Sequence, residues 1–180
     1  MRAKSLTENN IALVGFMGTG KTTVGRLLAK KCNLTFIDID ECIVEKAGMS
    51  IPLIFSRYGE NYFRDMEEEV LRNKLSNMNQ IISCGGGVVT RKSNRQMLKN
   101  RAITCCLYNS LETSLRRINQ ESRPLLNSPD PAEKALKLFK EREALYLEIA
   151  QFRIDTESLN QSQIADIIHE NIYTPFFCKR

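Results

Sequence analysis

A glycine-rich segment carrying one lysine stands near the start of the chain. Residues 15–22 read G-F-M-G-T-G-K-T and match the pattern G-x-x-x-x-G-K-[ST]. An apolar run, Ile11–Gly15, precedes it and a helical pattern over Lys21–Cys32 follows, so the segment is predicted to connect a strand to a helix. In that position its backbone N–H groups can wrap phosphate oxygens, Lys21 can reach the β- and γ-phosphates, and the Thr22 hydroxyl can bind Mg²⁺. The alternative is a glycine-rich turn with an accidental lysine.

The pattern therefore predicts a site for a nucleoside triphosphate. The residues expected to contact the nucleotide are Gly15, Gly18, Thr19, Gly20, Lys21, Thr22 and Thr23. The sequence contains no N-K-x-D motif, with which GTPases read the base, so kinases and other ATPases are the classes that remain.

Two carboxylates follow the next predicted strand, Leu34–Asp38. Asp38 and Asp40 are two residues apart, and in an extended segment such residues face the same side. The carboxyl ends of parallel strands are also where α/β sheets bind ligands. Both side chains are therefore expected to point at one site, one toward Mg²⁺ and one toward a substrate hydroxyl. A D-x-D pair alone is a weak signal, and the glycine-rich segment beside it gives it weight.

Three further sets of candidate site residues can also be explained by structure alone. Gly85-Gly86-Gly87 follows a predicted strand and could let the backbone lie against a flat ring, or could be a simple strand-to-helix turn. Arg64 stands three residues before Glu67, which is also the spacing of an exposed ion pair on a helix. Arg142 stands in a highly charged helical segment, which by itself is typical of a solvated face.

Short apolar runs alternate with helical patterns along the whole chain. The predicted strands are Ile11–Gly15, Leu34–Asp38, Ile81–Cys84, Ala102–Tyr108 and Gln151–Ile154. The predicted helices are Lys21–Cys32, Glu41–Ala47, Ile51–Tyr58, Tyr62–Leu75, Leu111–Ile118, Ala132–Ala150 and Gln163–Ile172. This alternation predicts an α/β fold whose parallel sheet is covered by helices on both faces. The polar, proline-containing stretch 119–131 is expected to be a mobile loop within the domain.

Size and composition fit one globular domain. The chain has 180 residues, of which 42% are hydrophobic and 26% charged, and no apolar run approaches the ~18 residues that span a bilayer. The first ten residues also lack the apolar core of a signal peptide, so we expect a cytoplasmic protein that does not bind membranes.

Charge and cysteine usage exclude several classes of function. The net charge of +5 suits an anionic small molecule but is too weak and dispersed to indicate nucleic-acid binding. The six cysteines form no CxxC pair, and the only histidine is His169, so neither a zinc site nor a disulfide framework is indicated. Reduced, mostly buried thiols are expected.

Taken together, these segments resemble shikimate kinases. The matching pieces occur in that family's order and approximate spacing over residues 10–172, and they are Gly15–Arg26, Asp38–Asp40, Phe63–Glu67, Gly85–Gly87, Arg123–Leu126 and Arg142–Ala150. The resemblance implies a P-loop three-layer α/β/α fold with a five-stranded parallel sheet, a substrate-binding helical region and a lid over 119–131. Residues 1–180 would form a single kinase domain, with 1–10 and 173–180 as terminal extensions.

The family's reaction is the implied activity. It transfers a phosphoryl group from ATP, with Mg²⁺, to the 3-hydroxyl of shikimate, giving 3-phosphoshikimate and ADP in the biosynthesis of chorismate and aromatic amino acids. The resemblance implies that Lys21 and Thr22 bind ATP and Mg²⁺, and that Asp38 contacts the metal largely through water. It also implies that Asp40 binds the shikimate hydroxyls and is the candidate base.

The remaining positions are likewise carried over from the family. Arg64 and Arg142 would grip the carboxylate of shikimate, with Glu67 orienting the substrate arginine and the run Gly85, Gly86 and Gly87 lying against the ring. Arg123 of the lid would reach the transferring phosphate. Either Arg116 or Arg117 would stack on adenine, and Arg117 is the preferred assignment.

Two rival functions stay open at this point. Gluconate also carries a carboxylate and hydroxyls, so a related kinase acting on gluconate or on a nucleoside monophosphate could use similar residues. From another class, the chain could be an inactive nucleotide-binding module, although every proposed catalytic position holds a competent residue. A monomer is expected because no exposed heptad or long apolar stripe is visible.

Overall fold

Five parallel strands form a single sheet in a computed structural model that describes residues 9–118, 124–126 and 129–173. The strands are β1 (Asn10–Val14), β2 (Thr35–Asp38), β3 (Gln80–Ser83), β4 (Ala102–Tyr108) and β5 (Phe152–Asp155). Their order across the sheet is β2-β3-β1-β4-β5, and all four pairings are parallel. The predicted five-stranded parallel sheet is therefore confirmed.

Helices connect the strands and cover both faces of the sheet. They are α1 (Lys21–Cys32), α2 (Ile39–Ala47), α3 (Ile51–Leu75), α4 (Lys92–Arg101), α5 (Leu111–Arg117), α6 (Pro131–Ile149) and α7 (Gln161–Tyr173), with 3₁₀ turns at Val88–Thr90 and Pro124–Leu126. No helix in the described part of the chain is long and apolar enough to cross a membrane.

Strand β1 shows how the three layers arise. Successive side chains of a strand point to opposite faces of the sheet. Ala12 and Val14 accordingly enter a core formed with α2, α3, α4 and α6, while Ile11 and Leu13 enter a second core formed with α1 and α7. Because both faces are covered, the strand is buried along its whole length. The predicted three-layer α/β/α arrangement is confirmed.

The register of the central strands brings their carboxyl ends to one edge. Asp38 at the end of β2 pairs with Ser83 at the end of β3, and Ser83 in turn pairs with Leu13 of β1. The chain leaves β1 to one side toward β2 and later crosses to the other side toward β4. Such a reversal opens a crevice at the carboxyl edge, where ligands bind in this class of fold.

Helix α4 was missing from the predicted elements. Its sequence is mostly polar, with Met97 and Leu98 as its apolar residues, so it shows no clear helical stripe of apolar side chains. It is held by long-range packing instead, because Leu98 is buried in the core and the Asn94 side chain donates to the backbone oxygen of Val88. Such long-range contacts cannot be predicted from the pattern of apolar residues within the helix.

The boundaries of α3 and of the two chain ends also differ from the predicted ones. The predicted break between the helices Ile51–Tyr58 and Tyr62–Leu75 is present as a kink inside α3, where Gly59 has φ 80° and ψ 173°. At the ends, Asn10 begins β1 and Tyr173 completes α7, so both belong to the folded body instead of to terminal extensions.

The expected extended conformation of Asp38-Ile39-Asp40 is wrong. Strand β2 ends at Asp38, which becomes the N-cap of α2, and Asp40 lies in the first turn of that helix. The helix forms because the Asp38 carboxylate satisfies free backbone N–H groups of the first turn. The two carboxylates still line one cavity, but a helix start brings them there and not a strand face.

Candidate active site

The glycine-rich segment between β1 and α1 wraps into a tight loop. Gly15 and Gly18 have positive φ values of 141° and 78°, which side chains disfavour. A Cβ on Gly15 would lie 2.1 Å from the backbone oxygen of Leu107, and one on Gly18 would lie 2.5 Å from that of Ser114. Neither position can accept a side chain, so the pattern of glycines is required by the loop itself.

Lys21 lies inside this loop. Its Nζ donates to the backbone oxygens of Gly15 at 3.0 Å and Phe16 at 2.7 Å, and the side chain is only 8% exposed. Thr19 closes the loop from within, since its hydroxyl donates to Phe16 and contacts Lys21 Nζ. The ammonium is thus held inside the phosphate loop by backbone oxygens.

A cavity of about 410 Å³ opens in front of the loop. Its lining includes Gly18, Gly20, Lys21, Thr22 and Thr23, together with Asp38, Asp40, Gly85, Gly86 and Arg117. The cavity thus combines the phosphate loop, both carboxylates and an arginine. We call it the nucleotide cavity, because its size is within the range of small-molecule sites and its loop can hold phosphate.

The Thr22 hydroxyl and the Asp38 carboxylate form a hydrogen-bonded pair in the lining of the nucleotide cavity. Thr22 Oγ1 donates to Asp38 Oδ2 at 2.8 Å and lies 3.4 Å from Ser83 Oγ. Ser83 was not among the predicted residues, and only the sheet register brings it to Asp38. Hydroxyl and carboxylate oxygens are the ligands that Mg²⁺ prefers.

The described residues hold no cluster of three or more acidic, cysteine or histidine side chains that could bind a metal by itself.

A second, narrower cavity of about 70 Å³ adjoins the first; we call it the acceptor cavity. It is lined by Met17, Asp40, Ile51, Phe55, Phe63, Arg64, Glu67, Gly85, Gly86, Gly87, Pro124, Leu125 and Arg142. Met17, Asp40, Gly85 and Gly86 line both cavities. Of the predicted catalytic residues that the structure describes, Asp40 is therefore the one that faces both compartments.

Close contacts explain two of the three glycines at the end of β3, Gly85 and Gly87. A Cβ on Gly87 would lie 2.2 Å from Arg64 Nη2, and one on Gly85 would lie 2.7 Å from Asp40 Oδ1 and 2.9 Å from Glu67 Oε1. The guanidinium and both carboxylates thus pack directly on the glycine backbone. An ordinary strand-to-helix turn would not need glycine at both of these positions for this reason.

Arg64 and Glu67 form an ion pair, but not on an exposed face. Arg64 Nη1 donates to Glu67 Oε2 at 2.7 Å, and its Nε and Nη2 donate to Glu60 Oε1. Arg64 is 6% exposed and Glu67 is fully buried. Burial raises the pKa of Glu67 to about 7, although the charge of Arg64 acts to lower it.

Arg142 is also buried instead of solvated. It is 3% exposed, and its Nη1 donates to the backbone oxygen of Gly86 at 3.3 Å. Tyr146, one helical turn later, donates to the same oxygen at 2.5 Å. Tyr146 was not predicted as a site residue, although its spacing of four from Arg142 puts both on one helix face.

The two arginines considered for adenine differ in position. Arg117 lines the nucleotide cavity and its Nη2 donates to the backbone oxygen of Thr156 at 3.3 Å. Arg116 donates to Thr113 Oγ1 at 2.9 Å and is not among the residues that line this cavity. The geometry favours Arg117.

The predicted lid is described in part. Arg123 lies outside the described residues, as do 119–122 and 127–128. Pro124 and Leu125 are described, and both line the acceptor cavity.

A wider cavity of about 530 Å³ lies between the phosphate loop, α6 and the ends of β4 and β5. Phe16 and Phe139 meet edge to face there, with ring centroids 5.3 Å apart. Among the described residues, Thr19 is the one predicted site residue in its lining, which includes neither Lys21 nor Asp40. The charged groups suited to phosphoryl transfer therefore lie in the two smaller cavities joined at Asp40.

Comparison with known proteins agrees with this arrangement. The family model for shikimate kinase matches residues 17–173. The chain is 45% identical over 160 residues to the shikimate kinase of Thermodesulfovibrio yellowstonii, covering 88% of this chain and 92% of the relative. It is 42% identical over 160 residues to that of a Sulfurihydrogenibium species, covering 88% and 95%.

A solved structure is similar over nearly the same length. The shikimate kinase from Acinetobacter baumannii in complex with shikimate matches with a TM-score of 0.89 and 41% identity, covering 92% of this chain and 93% of that one. The chain belongs to the shikimate kinase family.

Proposed function

We propose that this chain transfers the γ-phosphoryl group of ATP to the 3-hydroxyl of shikimate, giving 3-phosphoshikimate and ADP. The observation that carries the proposal is the position of Asp40. It faces the phosphate loop on one side and a cavity with two buried arginines on the other. Phosphoryl transfer requires donor and acceptor to meet in line, and one shared carboxylate at the junction suits that geometry.

The nucleotide cavity would hold the triphosphate. Backbone N–H groups of the loop and the start of α1 would donate to phosphate oxygens, and the positive end of the helix adds to the attraction. Lys21 would exchange its carbonyl partners for oxygens of the β- and γ-phosphates. Its charge then stabilises the negative charge that develops during transfer.

Mg²⁺ would be held by Thr22 directly and by Asp38 through water. The hydroxyl–carboxylate pair at 2.8 Å offers the hard oxygen ligands that this ion requires. When bound, Mg²⁺ would neutralise charge on the β- and γ-phosphates.

The acceptor cavity would hold shikimate. Arg64 and Arg142 would bind its carboxylate, since guanidinium groups match carboxylates with paired hydrogen bonds. Gly85, Gly86 and Gly87 would lie against the ring, while Glu67 would orient Arg64 through their 2.7 Å hydrogen bond. The present volume, about 70 Å³, is small for this ligand, and outward movement of Pro124 and Leu125 would enlarge it.

The acceptor hydroxyl would lie beside Asp40. The carboxylate would accept a hydrogen bond from the 3-hydroxyl, direct its oxygen at the γ-phosphorus, and take its proton as the new O–P bond forms. Closure of the lid would bring Arg123 to the transferring phosphate and exclude water, which otherwise competes as acceptor. Arg117 would stack on adenine.

We also propose that residues 1–180 form a single kinase domain that acts as a cytoplasmic monomer, without nucleic-acid or membrane partners. The modest net charge of +5 supports the absence of a nucleic-acid partner. Light scattering coupled to size-exclusion chromatography would test the monomer, and a mass of twice 20.6 kDa would contradict it.

A coupled assay that follows ADP release tests the activity. ATP, Mg²⁺ and shikimate should support turnover, whereas gluconate or AMP in place of shikimate should not. The product should carry its phosphate on the 3-hydroxyl, as determined by phosphorus NMR. Efficient turnover with gluconate would favour the rival kinase, and no turnover with any acceptor would favour an inactive nucleotide-binding module.

A further inference from the structure

The two carboxylate oxygens of Glu67 have different surroundings. Oε2 accepts the hydrogen bond from Arg64, whereas Oε1 is buried without a hydrogen-bond partner among the described residues. A Cβ on Gly85 would lie 2.9 Å from this Oε1 and 2.7 Å from Asp40 Oδ1. The two oxygens therefore converge on the glycine run and cannot be farther apart than the sum of those distances. A buried, ionised oxygen with no donor is costly, and a proton on it removes much of that cost.

The charged groups around Glu67 do not favour binding of a substrate carboxylate while all of them are ionised. Arg64 lies on the same helix, Asp40 faces Glu67 from α2, and Arg142 faces it from α6. Glu60 binds the other side of Arg64 and is half-exposed. With all five groups ionised the cluster carries one net negative charge. A substrate carboxylate would raise this to two net negative charges, whereas protonation of one acid of the cluster would keep it at one.

Glu67 is the acid best placed to become neutral. Burial raises its pKa to about 7, Asp40 raises it further, and Arg64 and Arg142 act to lower it. In the part of the chain that the structure describes, the other titratable groups that face it are the Tyr146 hydroxyl and the Cys84 thiol, whose pKa values burial raises so that both stay uncharged. An anion bound to the two arginines offsets the positive charge that keeps Glu67 ionised.

On these grounds we propose that Glu67 takes up a proton on Oε1 when the carboxylate of shikimate binds between Arg64 and Arg142. The inference rests on the proposed function, which puts that carboxylate there. The proton comes from solvent, forms an O–H bond at Oε1, and returns to solvent when the ligand leaves. Oε2 remains the acceptor for Arg64 throughout, and the new O–H can donate toward Asp40 or a substrate hydroxyl.

The sign of the pH dependence follows from this coupling. Below about pH 7 Glu67 is already protonated in the free protein, so binding takes up no proton there. Above that pH the free protein must gain a proton on binding, and affinity falls as pH rises. For one coupled proton the Kd for shikimate increases by up to about tenfold per pH unit, until the pKa of the bound state is passed.

Titration calorimetry with shikimate in buffers of different ionisation enthalpy measures this proton directly. Wild-type protein, about one pH unit above the pKa of Glu67, should take up a substantial fraction of one proton per bound shikimate. Difference infrared spectroscopy should show a protonated carboxylic acid band that appears with shikimate. Methyl shikimate, which lacks the negative charge, should give neither signal.

Two variants test whether the proton taken up on binding is carried by Glu67. Glu67→Gln keeps the size and the oxygen that accepts from Arg64 but cannot titrate, so proton uptake and the infrared band should vanish. Its Kd should not change with pH, and at high pH it should bind shikimate at least as tightly as wild type. Glu60→Gln is the matched control, since Glu60 also binds Arg64 but is half-exposed, and it should retain the uptake.

Clear outcomes would overturn the inference. Weaker binding by Glu67→Gln at every pH would mean that Glu67 only orients Arg64, and loss of uptake in Glu60→Gln would move the proton to Glu60. If wild type phosphorylates shikimate but takes up no proton on binding it, this inference is wrong while the proposed function stands. If shikimate neither binds nor reacts, the proposed function itself is wrong.

Discussion

The side chain of Asp38 caps the helix that carries Asp40. Its Oδ1 accepts from the backbone N–H of Asp40 at 3.0 Å and of Glu41 at 3.3 Å, while Oδ2 accepts from the Thr22 hydroxyl. Asp38 therefore fixes the start of α2 and also faces the phosphate loop. Asp40 is directed by that cap toward the junction of the two cavities. Both acids line the nucleotide cavity, and of the two only Asp40 also lines the acceptor cavity.

Exchanging each acid for its amide should separate these roles. Asp40→Asn should lower kcat by about 10²–10⁴-fold, because the charge and basicity beside the acceptor hydroxyl are lost, with little change in ATP affinity. Asp38→Asn should mainly weaken Mg²⁺-dependent ATP binding, and its amide oxygen can still cap α2. Steady-state kinetics and ATP titrations with Mg²⁺ measure both effects. The reverse pattern would mean that the two assignments must be exchanged.

Local features of the site could be predicted from the sequence, and their surroundings could not. The phosphate loop is encoded within residues 15–22, so its strand, turn and helix follow from one contiguous pattern. The pairing of Arg64 with Glu67 also follows from helical spacing. The burial of this ion pair does not follow from helical spacing, because it depends on α6 and the glycine run, which pack over the pair.

Longer-range relationships were missed for the same reason. Tyr146 reaches Gly86 across 60 residues of sequence, and Ser83 reaches Thr22 across 61. The prediction of an extended Asp38-Ile39-Asp40 segment was wrong because the cap at Asp38 starts α2 at Ile39, two residues before the predicted helix start at Glu41. In each case the deciding interaction is a hydrogen bond that no periodicity of apolar residues records.

Lys21→Ala should lower turnover by at least ~100-fold, the scale of losing one group that stabilises the transition state. The lysine is held by two backbone oxygens in the loop, so its charge is fixed where phosphate would bind. Lys30→Ala is the matched control, because Lys30 lies on the same helix but is exposed. Coupled kinetics measure both variants. Near-wild-type turnover of Lys21→Ala would remove the loop lysine from the mechanism.

Gly87→Ala should raise the KM for shikimate by at least about tenfold, or ~1.4 kcal/mol. Gly87 has φ −100°, which any residue adopts, so the effect would come from the new Cβ displacing the Arg64 guanidinium. The KM for ATP should change little. Gly48→Ala is the control, since Gly48 has φ 63° and no neighbour within 4 Å of an added Cβ. That variant should lower the melting temperature but leave both KM values unchanged, and a similar KM for shikimate in both would contradict the prediction.

Arg117→Ala should raise the KM for ATP by roughly 2–30-fold, the range expected for losing a cation–π contact worth about 0.5–2 kcal/mol. Arg116→Ala should have little effect, because its guanidinium binds Thr113 away from the nucleotide cavity. GTP offered in place of ATP reports whether base recognition has changed. A larger effect in Arg116→Ala would assign adenine stacking to that residue instead.

The two buried arginines should select the substrate through its carboxylate. Arg64 and Arg142 come from α3 and α6, lie 6% and 3% exposed, and line the same cavity. Two guanidinium groups around one carboxylate neutralise it and fix its rotation, which would aim the 3-hydroxyl at the γ-phosphate. Removing one partner of a desolvated charge pair costs about 2–5 kcal/mol, so Arg142→Ala should weaken shikimate binding by roughly 30-fold to several thousand-fold. Arg64→Lys should lose much of the same affinity, since an ammonium cannot reproduce the planar fork.

A shikimate analogue with a neutral carboxamide in place of the carboxylate gives the sharpest measurement of this selection. Wild type should bind shikimate far more tightly than the analogue, whereas each arginine variant should distinguish the two much less. ATP affinity should stay near the wild-type value in both variants, because neither arginine lines the nucleotide cavity. A parallel loss of ATP affinity would indicate a damaged fold, which the melting temperature would show independently. If both variants still distinguish the carboxylate as wild type does, another group holds it, and the preference for shikimate over other polyols must come from elsewhere in the cavity.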